Sequence, residues 1–219
     1  MSEIPQLSSA IFFDVDGVLI DSMQAKGECF AELFDVHQRD EILAIHFAHA
    51  GLNRYDKISL MIEHLRGYSP ETSEVQELAD SYANRVVQWV LNAPEIDGAS
   101  NALRELRKRH RLHAISAMPT RELKSILSGH NMMNSFASIH GFPASKLQTM
   151  AELGQQYSYD LPACVAVGDS LLDAAAAHTL SIPFIFVSSR AGLEPPGCVA
   201  QVKNLVRLDS VVQTVKSME

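Results

Sequence analysis

The sequence predicts an α/β fold, in which a doubly wound parallel sheet forms the core and an all-helical segment is inserted near its start. Two observations predict this fold. Short apolar runs alternate with segments of helical periodicity over most of the 219 residues, which is typical of a parallel sheet with helices on both faces. Residues 21–92 depart from this alternation and carry helical periodicity alone. A chain of this length suits one large domain, or a core domain with a smaller one inserted.

The expected strands are short apolar runs at 9–13, 112–117, 163–167 and 183–187, with a weaker candidate at 204–208. The first of these runs ends abruptly in acidic residues. The segments between the strands repeat apolar residues three or four positions apart, which is the helical period. The expected helices of the sheet domain contain residues 99–106, 123–127, 171–180 and, near the C-terminus, 211–215.

Residues 21–92 contain three sets of apolar residues at helical spacing, with no strand pattern between them. These sets lie at 30–34, 58–65 and 75–90. Pro94 and Gly98 then indicate the return to the sheet. We therefore expect a core domain of residues 1–20 and 93–219 and an inserted helical cap domain of residues 21–92, which we call the cap segment.

The composition is that of a folded protein, with 47% hydrophobic and 20% charged residues. A net charge of -8 without an offsetting basic stretch argues against nucleic-acid and anionic-membrane partners. Residues 1–7 lack the pattern of a signal peptide, and the apolar runs are too short to span a bilayer. Cys29, Cys164 and Cys198 are unclustered, so we expect thiols in a reducing cytoplasm rather than a disulfide framework.

Two strands of the predicted sheet end in acidic loops. Asp14 and Asp16 follow the first strand, and Asp169 and Asp173 follow the strand at 163–167. Because open parallel sheets bind ligands beyond the carboxyl ends of their strands, we expect these carboxylates to lie close together. Two such charges about 4 Å apart repel by roughly 4 kcal/mol at an effective dielectric near 20. A hard cation relieves this repulsion, and an oxygen-only ligand set without His or Cys indicates Mg²⁺ rather than zinc.

Four segments resemble, in order, the four motifs of the haloacid dehalogenase superfamily of phosphohydrolases. They are the loop DVDGVL after the first strand, Ser116 at the end of a later strand, Lys146 after a loop, and the run GDSLLD. The resemblance covers residues 8–20 and about 94–219 and implies a Rossmann-like core. The cap segment looks like the helical cap of the branch that contains phosphoglycolate phosphatase and β-phosphoglucomutase. The resemblance implies a magnesium-dependent phosphatase that acts on a small phosphorylated metabolite and is a monomer or a homodimer.

The resemblance also implies a role for each acidic residue. Asp14 is the expected nucleophile, which forms an aspartyl-phosphate intermediate. Asp16 is the expected general acid and base, with its backbone carbonyl on the metal. The expected magnesium ligands are thus Asp14, Asp16 and Asp169. Asp173 is expected to hold a metal-bound water or to pair with Lys146.

The remaining motif residues are expected to hold the transferring phosphoryl group. Ser116 and Lys146 would contact its oxygens, together with the backbone N–H of Ala117. Gly17 supplies the backbone freedom that turns amide groups toward these oxygens. Arg54 lies in a part of the cap segment that resembles the substrate loop of the mutases, so it is a candidate substrate contact, with a plain surface position as the alternative.

The residue Asp16 separates the branches of the superfamily. Dehalogenases need no acid at this position, and enzymes that cleave phosphonoacetaldehyde carry a small residue there, so Asp16 argues against both. The β-phosphoglucomutase-like enzymes share both carboxylates but usually carry a His where Lys26 stands, which favours hydrolysis and leaves a mutase as the alternative reaction. A non-catalytic sugar-phosphate-binding module is the alternative from another class.

His46 and His49 share a helix face, and we expect a structural role for them rather than metal binding.

Overall fold

The computed structural model describes residues 9–188 and 195–217. Its described strands form one six-stranded parallel sheet in the order β3-β2-β1-β4-β5-β6. The strands are β1 (Ala10–Phe13), β2 (Arg111–Pro119), β3 (Ser138–Phe142), β4 (Val165–Gly168), β5 (Phe184–Val187) and β6 (Cys198–Val202). β1 lies near the centre of the sheet, between β2 and β4, and every residue of β1 is buried.

Helices cover both faces of the sheet and also form the segment inserted after β1. They are α1 (Met23–Ala31), α2 (Arg39–Ala48), α3 (Arg54–Arg66), α4 (Thr72–Leu91), α5 (Ala99–Leu106), α6 (Thr120–Gly129), α7 (Lys146–Tyr157), α8 (Leu171–Thr179) and α9 (Leu208–Lys216). Buried residues of α5, α6 and α9 pack in one apolar cluster, and those of α7 and α8 pack in a second one that contains Phe12 and Phe184. The predicted α/β class and the doubly wound sheet are therefore confirmed. Within the described residues, no helix has both the length and the apolar content that a bilayer crossing requires.

The predicted strands at 9–13, 112–117, 163–167 and 183–187 are present with small shifts at their ends. The candidate strand at 204–208 is wrong. The last described strand is β6, and residues 203–207 form the turn that leads into α9. Leu205 is buried from within that turn, where its N–H donates to the carbonyl of Asp97 at 2.8 Å. Its apolar character therefore reflects packing of a turn rather than a strand.

The strand β3 was not predicted from the sequence. It lies at the edge of the sheet, and only Gly141 among its residues is fully buried. Its residues therefore lack the continuous apolar run that marks the central strands β1 and β4.

Two connections between the cap segment and the sheet run side by side. The N–H of Asp21 donates to the carbonyl of Pro94 at 2.9 Å, and the N–H of Ile96 donates to the carbonyl of Leu19 at 2.9 Å. Ile20 and Glu95 form an antiparallel bridge between them. The four helices α1–α4 thus leave and rejoin the sheet at one place, next to the carboxyl end of β1. The predicted domain limits, 21–92 and the remainder, stay a prediction.

Candidate active site

The carboxyl ends of the strands bring the predicted motif residues to one edge of the sheet. Asp14 follows β1 directly, Asp169 follows β4, and Ser116 lies in the second half of β2. Lys146 is the first residue of α7, which begins after β3. Parallel strands with short loops gather these side chains at a single crevice, as in other open sheets.

The carboxylate of Asp14 forms an ion pair with Lys146. Its Oδ2 lies 2.8 Å from the Lys146 Nζ, and both side chains are largely buried. The backbone N–H of Asp14 donates to the carbonyl of Val167 at 2.9 Å, which fixes Asp14 to the neighbouring strand. Burial raises the pKa of Asp14 to about 7, against the opposing charge of Lys146, and the carboxylates of Asp173 and Asp16 add to the rise. The positive charge of Lys146 therefore only partly offsets the cost of burying an ionised Asp14 next to two other carboxylates.

Three carboxylates at this edge are close enough to share one metal ion. Oxygens of Asp14, Asp169 and Asp173 all lie within 4.8 Å of one another. Burial and the neighbouring carboxylate of Asp14 raise the pKa of Asp169 well above its usual range. Asp173 pairs with Lys146, as predicted for one of its two roles, and it also caps α8 together with Ser170. A buried set of hard oxygen ligands with excess negative charge fits a magnesium ion.

The loop after β1 brings Gly17 directly against this acidic cluster. Gly17 has a φ of +74°, and a Cβ at this position would lie 2.1 Å from Oδ2 of Asp169. A side chain would therefore displace Asp169 in addition to straining the backbone. Glycine at this position allows the loop and the carboxylate to approach each other.

The carboxylate of Asp16 lies apart from the three-carboxylate cluster and has its own partners. Ser22 Oγ donates to Oδ1 at 2.6 Å, and the Nζ of Lys26 lies 2.8 Å from Oδ2. Burial by itself raises the pKa of Asp16, but Lys26 and Ser22 outweigh it and hold the pKa below its usual range. Ser116 Oγ lies 3.4 Å from Oδ2 of Asp16. Asp16 is thus held as a carboxylate by two residues at the start of the cap segment.

A small cavity of about 40 Å³ lies between the sheet edge and the cap segment. Asp14, Asp16, Ser116, Ala117, Lys146 and Asp169 line it from the sheet, and Lys26, His46, Arg54, Lys57 and Tyr82 line it from the cap segment. The cap segment rests directly on the core beside this cavity, since a Cβ on Gly51 would lie 2.6 Å from Oγ of Ser170. The structure therefore has the cap segment closed over the predicted phosphoryl site.

The predicted substrate residue Arg54 lies in the wall of this cavity rather than on the surface. It is buried, and its guanidinium forms an ion pair with Glu122 at the start of α6. Its guanidinium carbon also lies 5.1 Å from the ring centroid of Tyr82. The ion pair joins the cap segment to the core and already balances the charge of Arg54.

Comparison with protein families identifies the chain. Residues 9–180 match the family model described as haloacid dehalogenase-like hydrolase. The chain belongs to the haloacid dehalogenase-like hydrolase family. The predicted family membership and the prediction that the chain is an enzyme are confirmed. No curated protein sequence matches this hydrolase.

Several solved structures share the fold of this hydrolase at low sequence identity. A family IA, variant 3 hydrolase from Entamoeba histolytica has a TM-score of 0.76 at 14% identity, covering 95% of this chain and 99% of that one. A β-phosphoglucomutase-like protein from Bacteroides vulgatus has a TM-score of 0.75 at 16% identity, covering 95% and 89%. A predicted phosphoglycolate phosphatase from Haemophilus somnus has a TM-score of 0.74 at 15% identity, covering 96% and 100%. These matches show that the sheet and the inserted helices together form the fold of this family.

Six polar residues at the site of this hydrolase were not predicted from the sequence as part of it, namely Ser22, Lys26, His46, Lys57, Tyr82 and Glu122. Five of them belong to the cap segment, where separate helices and the residue before α1 contribute to the site without any short motif. Glu122 lies in the first turn of α6, where an acid is favoured for its own sake, so the sequence gives no sign of its ion pair with Arg54 of the cap segment.

Proposed function

We propose that this hydrolase is a magnesium-dependent phosphatase of small phosphomonoesters, with Asp14 as nucleophile. One observation carries the proposal. A buried carboxylate, Asp14, contacts the ammonium of Lys146, shares a cluster with two further carboxylates, and faces the same cavity as the second carboxylate Asp16. Phosphoryl transfer requires such positioning and charge more than elaborate covalent chemistry.

The ligands of the metal would be carboxylate oxygens of Asp14 and Asp169, with the backbone carbonyl of Asp16 as expected from the resemblance. Asp173 lies in the same cluster, but its side chain is also engaged in the capping box of α8 with Ser170, so we assign it a supporting role. A bound magnesium ion supplies positive charge that neutralises the phosphoryl oxygens and lowers the pKa of the nearby carboxyl groups. The raised pKa values of Asp14 and Asp169 indicate that the site favours such a charge.

The reaction proceeds in two displacements at phosphorus. An oxygen of Asp14 attacks the phosphorus atom, the bond to the alcohol oxygen breaks, and the protonated carboxyl of Asp16 donates its proton to the departing oxygen. A water molecule then attacks the phosphorus of the aspartyl-phosphate while Asp16 accepts its proton. Asp14 is released as carboxylate together with inorganic phosphate. Lys146 and Ser116 hold the phosphoryl oxygens in both steps.

The contacts of Asp16 suit the second displacement directly. Lys26 and Ser22 hold Asp16 ionised, which is the form that accepts a proton from water. The first displacement requires the protonated form. The negative charge of an incoming phosphate next to Asp16 raises the pKa of Asp16, so we expect a proton to enter the site with the substrate.

The test is a magnesium-dependent phosphate-release assay with p-nitrophenyl phosphate, sugar phosphates and short-chain acid phosphates. Wild type should release phosphate from several of these esters, and Asp14→Asn should lower the rate by at least roughly 10³-fold, since it removes the nucleophile. Asp80→Asn, an exposed acid of α4, is the matched control. Equal rates for wild type and Asp14→Asn on every ester would reject the phosphatase and leave the non-catalytic module. Conversion of one phosphosugar isomer to another without net phosphate release would instead identify the mutase.

A further inference from the structure

Five basic residues line the cavity. Four of them are either paired with a carboxylate or neutral. Lys26 pairs with Asp16, Arg54 with Glu122, and Lys146 with Asp14 and Asp173. His46 is kept neutral, because burial lowers its pKa. Lys57 is the exception, since no carboxylate in the described parts of the chain lies within ion-pair distance of its ammonium.

The surroundings of Lys57 are unusual for a lysine. Its residue exposure is 3%, whereas lysines are almost never fully buried unless they are paired. Its Nζ lies 3.3 Å from Nδ1 of His46 and 5.7 Å from the ring centroid of Phe30. Nε2 of His46 lies 3.0 Å from the carbonyl of Met23, so the neutral ring donates there and accepts from Lys57. Burial lowers the pKa of Lys57 to about 7. The neighbours of Lys57 thus provide two long hydrogen bonds, to Nδ1 and to the backbone carbonyl of His46 at 3.3 and 3.5 Å, and no carboxylate within ion-pair distance.

The hydroxyl of Tyr82 is a second polar group of the same wall without a partner. Tyr82 is 1% exposed, and among the residues that the structure describes its hydroxyl is the buried side-chain polar atom with no hydrogen-bond partner. Phe30 joins the two residues, since its ring stacks on Tyr82 at 4.1 Å and lies beneath the ammonium of Lys57. A buried hydroxyl that is left unpaired destabilises the fold, because it has lost its water without gaining a partner. An ammonium without a carboxylate partner and a hydroxyl without a hydrogen-bond partner, in one cavity wall, indicate a group that is supplied by a ligand.

We propose that Lys57 and Tyr82 bind a second anionic group of the substrate, at the end remote from the phosphoryl group that Asp14 attacks. This inference rests on the proposed phosphatase function and adds the substrate class, namely phosphomonoesters that also carry a carboxylate or a second phosphate. Both groups offer anionic oxygens that accept hydrogen bonds from an ammonium and a hydroxyl. Arg54 is not the main contact for this group, because Glu122 balances its charge.

The experiment compares three series of esters with the same carbon chain lengths. The esters are ω-carboxyalkyl monophosphates, ω-hydroxyalkyl monophosphates and alkanediol bisphosphates of two to four carbons. Wild type should hydrolyse one or both anionic series with a kcat/KM at least about 10-fold above that of the neutral series, the effect of one charge-assisted contact. The series with the higher kcat/KM identifies the anion as carboxylate or phosphate.

The variants test the two residues through the ratio of kcat/KM for an anionic ester to that for its neutral counterpart. This ratio should fall by about 10–100-fold in Lys57→Met and by roughly 3–10-fold in Tyr82→Phe, and Lys57→Arg should recover part of it. Lys124→Met, which removes an exposed lysine of α6, should keep the wild-type ratio. An unchanged ratio in Lys57→Met, or equal kcat/KM values of wild type for the anionic and neutral series, would overturn the inference while leaving the phosphatase intact.

A binding experiment separates the inference from the proposed reaction. ω-Carboxyalkyl and ω-hydroxyalkyl phosphonates, which cannot be hydrolysed, are titrated calorimetrically into the magnesium-loaded protein. Tighter binding of the carboxylate series by wild type, lost in Lys57→Met, supports the anion site even if no ester is hydrolysed. Equal affinities for these two phosphonate series would rule out a carboxylate site. Alkane bis-phosphonates are titrated in the same way, and if they bind no more tightly than the neutral series, a site for a second phosphate is excluded as well.

Discussion

The buried ammonium of Lys57 allows a quantitative test on the metal-free protein. Replacing Lys57 with Met keeps most of the side-chain volume and the apolar stem, and it removes only the charged end. The contacts that are lost are two long hydrogen bonds, to Nδ1 and to the backbone carbonyl of His46. We therefore expect Lys57→Met to raise the free energy of unfolding at neutral and acidic pH, although it removes a proposed substrate contact.

The magnitude follows from the pKa of Lys57. The folded protein lowers this pKa from 10.5 to about 7, and each pKa unit corresponds to about 1.4 kcal/mol. Between these two values the unfolded chain binds more protons than the folded one, so the stability of wild type rises with pH. Lys57→Met lacks this dependence. Its advantage over wild type should therefore be largest below pH 7, on the order of 2–5 kcal/mol, and should shrink as pH rises toward 10.5.

The assay is urea unfolding of wild type, Lys57→Met and Lys124→Met at a series of pH values from 6 to about 9.5, which covers most of the window between about 7 and 10.5 that the pKa shift of Lys57 sets and extends below it. All other titrating groups are common to the three proteins, so the difference between curves reports on the lysine and on His46, whose pKa is lowered by burial and also by the charge of Lys57. Lys124→Met should follow wild type at every pH, because Lys124 is exposed. A Lys57→Met protein that is less stable than wild type at pH 6, or a gap that stays constant across the range, would refute the reasoning.

Three further outcomes follow from the geometry of the site. Tyr82→Phe should leave the melting temperature of the free protein unchanged or raise it, because the hydroxyl has no partner among the described residues; a large decrease would show that the hydroxyl is satisfied. Gly17→Ala should lower phosphatase activity by at least roughly 100-fold, whereas Gly67→Ala should keep it. Both glycines have a positive φ, but only the Cβ added at Gly17 would lie 2.1 Å from Oδ2 of Asp169. Equal losses of activity in the two variants would assign the effect to backbone strain. Magnesium should raise the melting temperature of wild type more than that of Asp169→Asn, and equal shifts would place the ion elsewhere.

The position of the site could be predicted from the sequence because it depends on a local rule. Asp14 and Asp169 each follow an apolar run, and the carboxyl ends of parallel strands share one edge of the sheet. Their closeness therefore follows from the alternation of strands and helices alone. The edge strand β3 and the turn around Leu205 could not be assigned in this way, because apolar content there reflects partial burial and turn packing.

The wall formed by the cap segment could not be predicted, since its residues meet only through packing of separate helices. Lys57 and Tyr82 lie on α3 and α4, and nothing in their sequence spacing indicates a common cavity. The ion pair between Arg54 and Glu122 joins residues 68 positions apart. In the sequence Lys26 is only a departure from the mutase pattern, whereas the structure pairs its ammonium with the carboxylate of Asp16.

The central claim is that Asp14 carries the phosphoryl group during the reaction. The direct measurement is mass spectrometry of peptides from Asp16→Asn protein, quenched in acid after mixing with p-nitrophenyl phosphate and magnesium. The nitrophenolate ion leaves without a proton from the side chain at position 16, whereas the amide of this variant cannot accept a proton from water, so the covalent intermediate should accumulate. The account predicts one phosphoryl group on the peptide that contains Asp14, sensitive to hydroxylamine and absent from an Asp14→Asn control. A phosphoryl group on another residue, or turnover without any labelled peptide, would contradict it.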